Sequence, residues 1–167
     1  DIRYSLNHET VDLERASAAY CRAADTAFGE GKKLDYRAKA GDSQYQLGVA
    51  LTQAGQWYDG LAYLEASLNT YRLGENRLGR ADALQQMART HYLMSNFDKA
   101  RMYFRDALRL YQAEKNLPGE AACRAGLGRL LLRLNFIDDA LAELKQACDH
   151  YHTMKDTARL TELRKVY

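Results

Sequence analysis

A single proline, Pro118, stands in 167 residues. With so few breakers and no long β-branched runs, the chain does not read as all-β, because strands and turns would need many more. Cysteine is equally sparse: Cys21, Cys123 and Cys148 are odd in number and lack paired spacing. That argues against a disulfide framework and for a reducing compartment, the cytoplasm. Neither sign of charge dominates, since 24 Lys and Arg face 22 Asp and Glu for a net charge of +2. The one-signed excess that marks nucleic-acid binders and acidic-membrane binders is missing. No apolar run approaches the roughly 18–20 residues of a membrane-crossing helix, and "DIRYSLNHETVDLERA" is too polar for a signal peptide. An initiator methionine is lacking too, and "LTELRKVY" stops in mid-pattern, so the expectation is a piece of a longer protein. What remains, 47% hydrophobic and 28% charged, is ordinary for one globular domain.

Apolar spacing supplies the positive signal. Leu61, Leu64, Leu68 and Tyr71 stand at i, i+3, i+7 and i+10, and Phe97, Ala100, Phe104, Ala107, Leu108 and Tyr111 follow the same rule; both predict amphipathic helices. Breaks at 29–33, Gly55-Gln56, 74–76, Ser95-Asn96, 113–116, Asn135-Phe136 and 154–156 divide the chain into about eight helices. Their spacing reads as unequal, with turns of about two residues alternating with longer ones.

The chain also repeats itself. Tyr71, Tyr111 and Tyr151 are 40 residues apart, as are Gly48, Ala88 and Gly128; Gly60, Ala100 and Ala140; and Leu64, Phe104 and Leu144. Four columns agreeing on one period mean three copies of a helical hairpin. Small residues at two of the columns predict close helix crossings, with large neighbours filling the space around them.

These columns carry a family resemblance. The tetratricopeptide pattern W-x2-L-G-x2-Y followed by A-x3-F is approached, with the three units matching at most positions, by Gln44-x2-Leu47-Gly48-x2-Leu51 with Gly60-x3-Leu64. It is approached again by Leu84-x2-Met87-Ala88-x2-His91 with Ala100-x3-Phe104, and by Arg124-x2-Leu127-Gly128-x2-Leu131 with Ala140-x3-Leu144. The leading aromatic is absent in all three units, and the period is 40 instead of about 34. The longer unit resembles the extended repeats of kinesin light chain, spindle-orientation adaptors, rapsyn and bacterial regulatory proteins. The resemblance implies an all-α solenoid of antiparallel hairpins in a right-handed superhelix. In that reading 1–167 is one domain: a degenerate unit over 1–40, full repeats over 41–80, 81–120 and 121–156, and the start of a further or capping helix over 157–167.

Candidate chemistry is weak beside this. Gly74-Glu-Asn-Arg-Leu-Gly79-Arg80-Ala81 nearly matches a phosphate-binding loop, but Arg80 and Ala81 replace its lysine and hydroxyl, and a helix precedes it instead of a strand. Forty residues later the same columns read Glu114-Lys-Asn-Leu-Pro118-Gly119-Glu120-Ala121, so the segment is punctuation between hairpins. Gly74 is expected at a helix end needing positive φ, Asn76, Asn116 and Asp156 as N-caps, and Gly79 and Gly119 where backbones pack closely. Cys148 and His152 share a helix face, yet two ligands make no metal site. His91 replaces Leu51 and Leu131 and reads as a packing residue. Asp98, Asp138 and Asp139 open helices, where the dipole favours them. The tyrosine column is expected to pack between repeats with its hydroxyls in solvent. No catalytic residue, cofactor or metal follows from the sequence, and the expectation is a protein that is not an enzyme.

The resemblance implies that the first helix of each hairpin lines a concave groove. Its columns include Tyr45, Gln85, Arg89, Tyr92, Arg129 and Arg133, offering guanidinium groups for carboxylates and tyrosines as anchors. The expected function is an adaptor or scaffold for signalling that binds a protein, peptide or partner helix, with an acidic segment as a fitting ligand. Nucleic acid and membrane insertion are not expected, whereas self-association through open repeat ends is a further expectation. The chaperone-tail clamp of Lys and Asn is absent from these columns. The alternative reading is a sensor module controlling an attached effector domain, such as a signalling ATPase or transcription regulator.

Overall fold

A computed structural model describes residues 2–165. Among them, eight helices follow one another without a strand: α1 (Ile2–Thr26), α2 (Glu30–Gln53), α3 (Trp57–Leu73), α4 (Arg77–Leu93), α5 (Phe97–Ala113), α6 (Leu117–Arg133), α7 (Ile137–Thr153) and α8 (Thr157–Arg164). Each helix packs on the next in the chain, and α2 touches α4 as α4 touches α6. Contacts therefore stay between neighbours, as in a solenoid. The even-numbered helices form one layer and the odd-numbered helices stand behind it. The expected all-α architecture is the observed one.

The spacing differs from the expectation. Helices α3 to α7 all have 17 residues, and one three-residue turn recurs between them instead of two alternating kinds. Its central residue has positive φ every time: Gly55, Glu75, Ser95, Lys115, Asn135 and Lys155 lie between 54° and 83°. The next amide then reaches back into the helix, as Asn76 N–H does to Tyr71 O (2.9 Å) and Asn116 N–H to Tyr111 O (2.9 Å). This is a Schellman closure, which satisfies carbonyls that the helix end would leave bare. Five of the six turns place a side chain where glycine is easiest, so glycine in the sequence was a poor guide to the turn. Gly74 in particular has φ −89°, and Glu75 beside it takes the left-handed conformation. Gly74 is instead pressed on α2, where a Cβ would stand 3.3 Å from that of Arg37. Asn76, Asn116 and Asp156 are N-caps as expected, accepting from the amides of Gly79, Gly119 and Arg159 at 2.8, 2.8 and 3.0 Å.

The small-residue columns mark the hairpin crossings. A Cβ on Gly48 would lie 2.7 Å from Leu64 Cγ, and one on Gly128 2.4 Å from Leu144 Cγ; Ala88, Ala100 and Ala140 are fully buried. The missing leading aromatic is replaced differently in each unit. Gln44 accepts from Thr70 Oγ1 (2.7 Å), Leu84 joins the cluster around Phe104 and Tyr111, and Arg124 pairs with Glu143 (3.0 Å). All three bind the paired helix, so the column keeps its task while changing its chemistry.

His91 is buried and stacks on Tyr103 with ring centroids 5.4 Å apart. Burial, then the charge of Lys99, pulls its pKa below the usual 6.5, and Glu65 opposes this. The unfolded chain therefore binds the proton more readily. Stability from this site is full above the unfolded pKa and is lost as pH falls through the depressed folded value. His91→Leu, which restores the residue of columns 51 and 131, should shrink the loss of melting temperature between about pH 7.5 and pH 5. Thermal scans of both proteins check this, and an unchanged difference contradicts it. Cys123 is fully buried, and burial raises its thiol to about 12, so it is a packing residue with almost no thiolate.

Candidate functional site

The tyrosine column organises the inner face. Tyr71, Tyr111 and Tyr151 are all buried, at 3%, 2% and 4% exposure. The hydroxyls of Tyr71 and Tyr111 do not point into solvent as the sequence reading expected. Tyr71 donates to Asp42 Oδ1 (2.6 Å), and Tyr111 donates to Asp82 Oδ1 (2.5 Å) with Gln85 Oε1 nearby (3.1 Å). Each bond joins the second helix of a hairpin to its first. Burial, then the bond to the carboxylate, holds both phenols far above their ordinary pKa. Partial desolvation also raises Asp82, against the opposing effect of the Tyr111 bond.

Glycine makes room for two of the rings. A Cβ on Gly79 would meet Tyr71 Cδ1 at 2.6 Å, and one on Gly119 would meet Tyr111 Cδ1 at 2.3 Å. The third unit departs from both features. Column 79/119 becomes Arg159, whose guanidinium lies over the Tyr151 ring at 5.7 Å. Columns 42/82 and 45/85 become Ala122 and Ala125, which remove both acceptors at once.

A cavity of about 440 Å³ opens at that departure. Helix α4 lines it with Gln85, Arg89 and Tyr92, α6 with Ala122, Ala125 and Arg129, and α8 with Arg159 and Glu162, while Phe104 and Tyr151 contribute from behind. Gly126 allows Phe104 to reach it, since a Cβ there would stand 2.5 Å from the ring. Three arginines thus share one space with a single acid. Among the described residues no carboxylate lies within ion-pairing distance of Arg89 or Arg129, and the Nε of Arg129 is buried without a partner. Arg159 is held by its own cap residue, Asp156, at 3.4 Å. Such a set can take an anion, each guanidinium donating charge-assisted hydrogen bonds.

Four of the six residues expected in the groove, Gln85, Arg89, Tyr92 and Arg129, come together in this cavity. The other two stand apart from it. Tyr45 is half-buried and packs against Leu61, Leu64 and Met87, with burial raising its pKa. Arg133 is exposed in the last turn of α6. Thr52 of α2 is buried and faces Thr90 of α4 (3.4 Å). Sequence reasoning missed Tyr151, Arg159 and Glu162 as lining residues. The signal was present in the repeat alignment: Arg159 follows two glycines in its column, and Ala122 follows two aspartates. Among the described residues no three His, Cys, Asp or Glu side chains are placed to hold a metal ion, and no helix is long and apolar enough to cross a membrane.

Comparison with known proteins bears on the fold. A tetratricopeptide repeat family model matches residues 40–113. No curated protein matches the sequence. Among crystal structures, aspartyl phosphate phosphatase F from Bacillus subtilis is similar with a TM-score of 0.66 at 13% identity, over 95% of this chain and 45% of that one. BtubC (BKLC) from P. vanneervenii is similar with a TM-score of 0.61 at 14% identity, over 93% of this chain and 66% of that one. The chain therefore spans less than half the length of the phosphatase.

Proposed function

We propose, from the tetratricopeptide repeat family match over residues 40–113, that the chain captures a protein partner on its inner face, as a peptide or helix laid across α4, α6 and α8. Tetratricopeptide repeats generally mediate protein–protein interaction, and a stack of hairpins presents one continuous surface for it. The observation that carries the reading is the single cavity gathering Gln85, Arg89, Tyr92 and Arg129 from two successive repeats. Its arginines without a carboxylate partner favour an acidic segment, and Tyr92 offers a large amphipathic contact. The protein acts in this reading as an adaptor, without chemistry of its own.

The test uses a fluorescein-labelled peptide of about ten residues, rich in glutamate and blocked at both ends. Arg89→Glu with Arg129→Glu should weaken its binding by at least about 100-fold, since two charge-assisted contacts of about 1.5–3 kcal/mol each are lost. Melting temperature should stay put, because neither guanidinium holds an ion pair in the fold. Fluorescence polarisation and thermal scans measure the two quantities, and unchanged affinity sinks the groove reading. A second reading, control of an attached effector domain, draws on the coverage: the phosphatase that shares this fold is more than twice as long as the matched part. An effector domain encoded beside these repeats in the full-length sequence would favour it.

A further inference from the structure

The repeats contain their own template for what the third one binds. In the first two units a carboxylate, Asp42 or Asp82, sits on the buried tyrosine hydroxyl of the same hairpin at 2.6 or 2.5 Å. In the third, Ala122 stands where that aspartate would be and lines the cavity together with Tyr151. Among the described residues no acceptor is bonded to the Tyr151 hydroxyl. Burial raises its pKa, Arg159 and Arg129 act against that rise, and Asp156 adds to it, so two of its three charged neighbours are cationic. A hydroxyl donor and guanidinium groups around an empty acceptor position describe the environment of a carboxylate.

We propose that a carboxylate from an aspartate or glutamate side chain of the partner occupies the position vacated at Ala122, accepting from Tyr151 and pairing with Arg129 and Arg159. The inference rests on the groove reading and assigns the anchor point within it. The partner completes in trans the tyrosine–carboxylate bond that the first two repeats make internally. Charge agrees with this: the cavity is lined by Arg89, Arg129 and Arg159 against Glu162, and of the three only Arg159 pairs with an acid among the described residues, Asp156, so an added carboxylate meets a complementary surface.

Ala122→Asp supplies the missing carboxylate from the protein itself. It should raise the melting temperature and weaken binding of the blocked glutamate-rich peptide by about tenfold or more, as expected for a lost charge-assisted contact. Should that variant misfold, Tyr151→Phe provides the second arm: it removes only the hydroxyl, and should weaken the peptide several-fold with melting unchanged. A glutamine-substituted peptide should bind neither form measurably. If Ala122→Asp and Tyr151→Phe both bind as wild type while Arg89→Glu/Arg129→Glu does not, the groove reading stands and the anchor assignment falls. If all of these variants bind as wild type, both fall. Binding of the glutamine peptide only when its C-terminus is left free overturns the side-chain assignment in favour of a terminal carboxylate.

Discussion

Gly119→Ala should lower the melting temperature by about 5–10 °C, corresponding to about 2–3 kcal/mol in a chain of this size. The added methyl would lie 2.3, 2.4 and 2.5 Å from three atoms of the Tyr111 ring, well inside carbon–carbon contact. Something has to move by about an ångström. The ring is poorly placed to yield: it is 2% exposed, sits in the cluster with Leu84, Phe104 and Leu127, and is tied at its far end to Asp82. Alanine is the better helix former by about 1 kcal/mol, so a net loss reports the clash prevailing over propensity. Gly79→Ala should behave alike, since Tyr71 is met there at 2.6 Å. Added nucleotide should leave the melting of every form unchanged, as befits a turn without phosphate-binding residues. A Gly119→Ala protein that melts at or above the wild-type temperature would show that the ring slides freely, and the packing account would be wrong.

Tyr111→Phe and Tyr151→Phe should differ sharply although the two tyrosines share one column and near-equal burial. At Tyr111 the hydroxyl serves Asp82 and Gln85. Its removal leaves Asp82, a carboxylate that solvent also reaches, without its donor, which costs about 1–1.5 kcal/mol. At Tyr151 there is no acceptor to strand, so the cost should stay below about 0.5 kcal/mol. The pair can be measured by urea unfolding with a common slope. Equal losses would mean that ring burial alone sets the contribution of the column and that the hydroxyl bonds add nothing. The comparison also bears on the anchor inference, because Tyr151→Phe is expected to spare stability while harming peptide capture.

Much of this was legible along the chain. A packed hairpin needs small residues at its crossing and large ones around them, and this demand recurs at the same place in each repeat. Gly48/Ala88/Gly128 and Leu64/Phe104/Leu144 therefore announced the architecture before any coordinate. N-caps were legible too, because Asn76, Asn116 and Asp156 act within three residues of themselves. Turn conformation was not, since positive φ fell on Glu75, Lys115 and Lys155, where the closing backbone hydrogen bonds hold a conformation that costs a non-glycine residue about 1 kcal/mol or more.

The repeat, its period and the candidate face were thus determined by the sequence alone, through local periodicity that every unit restates. The tertiary structure decided how the columns meet. Tyr71 and Tyr111 find carboxylates 29 residues earlier in the chain, a distance that no helical period encodes. Only once α4, α6 and α8 are side by side does Ala122 become a missing acceptor and Arg159 a third guanidinium of one cavity. A repeat pattern records what the units have in common, whereas the site arises where one unit departs from the others. The meaning of that departure depends on the side chains the fold brings against it.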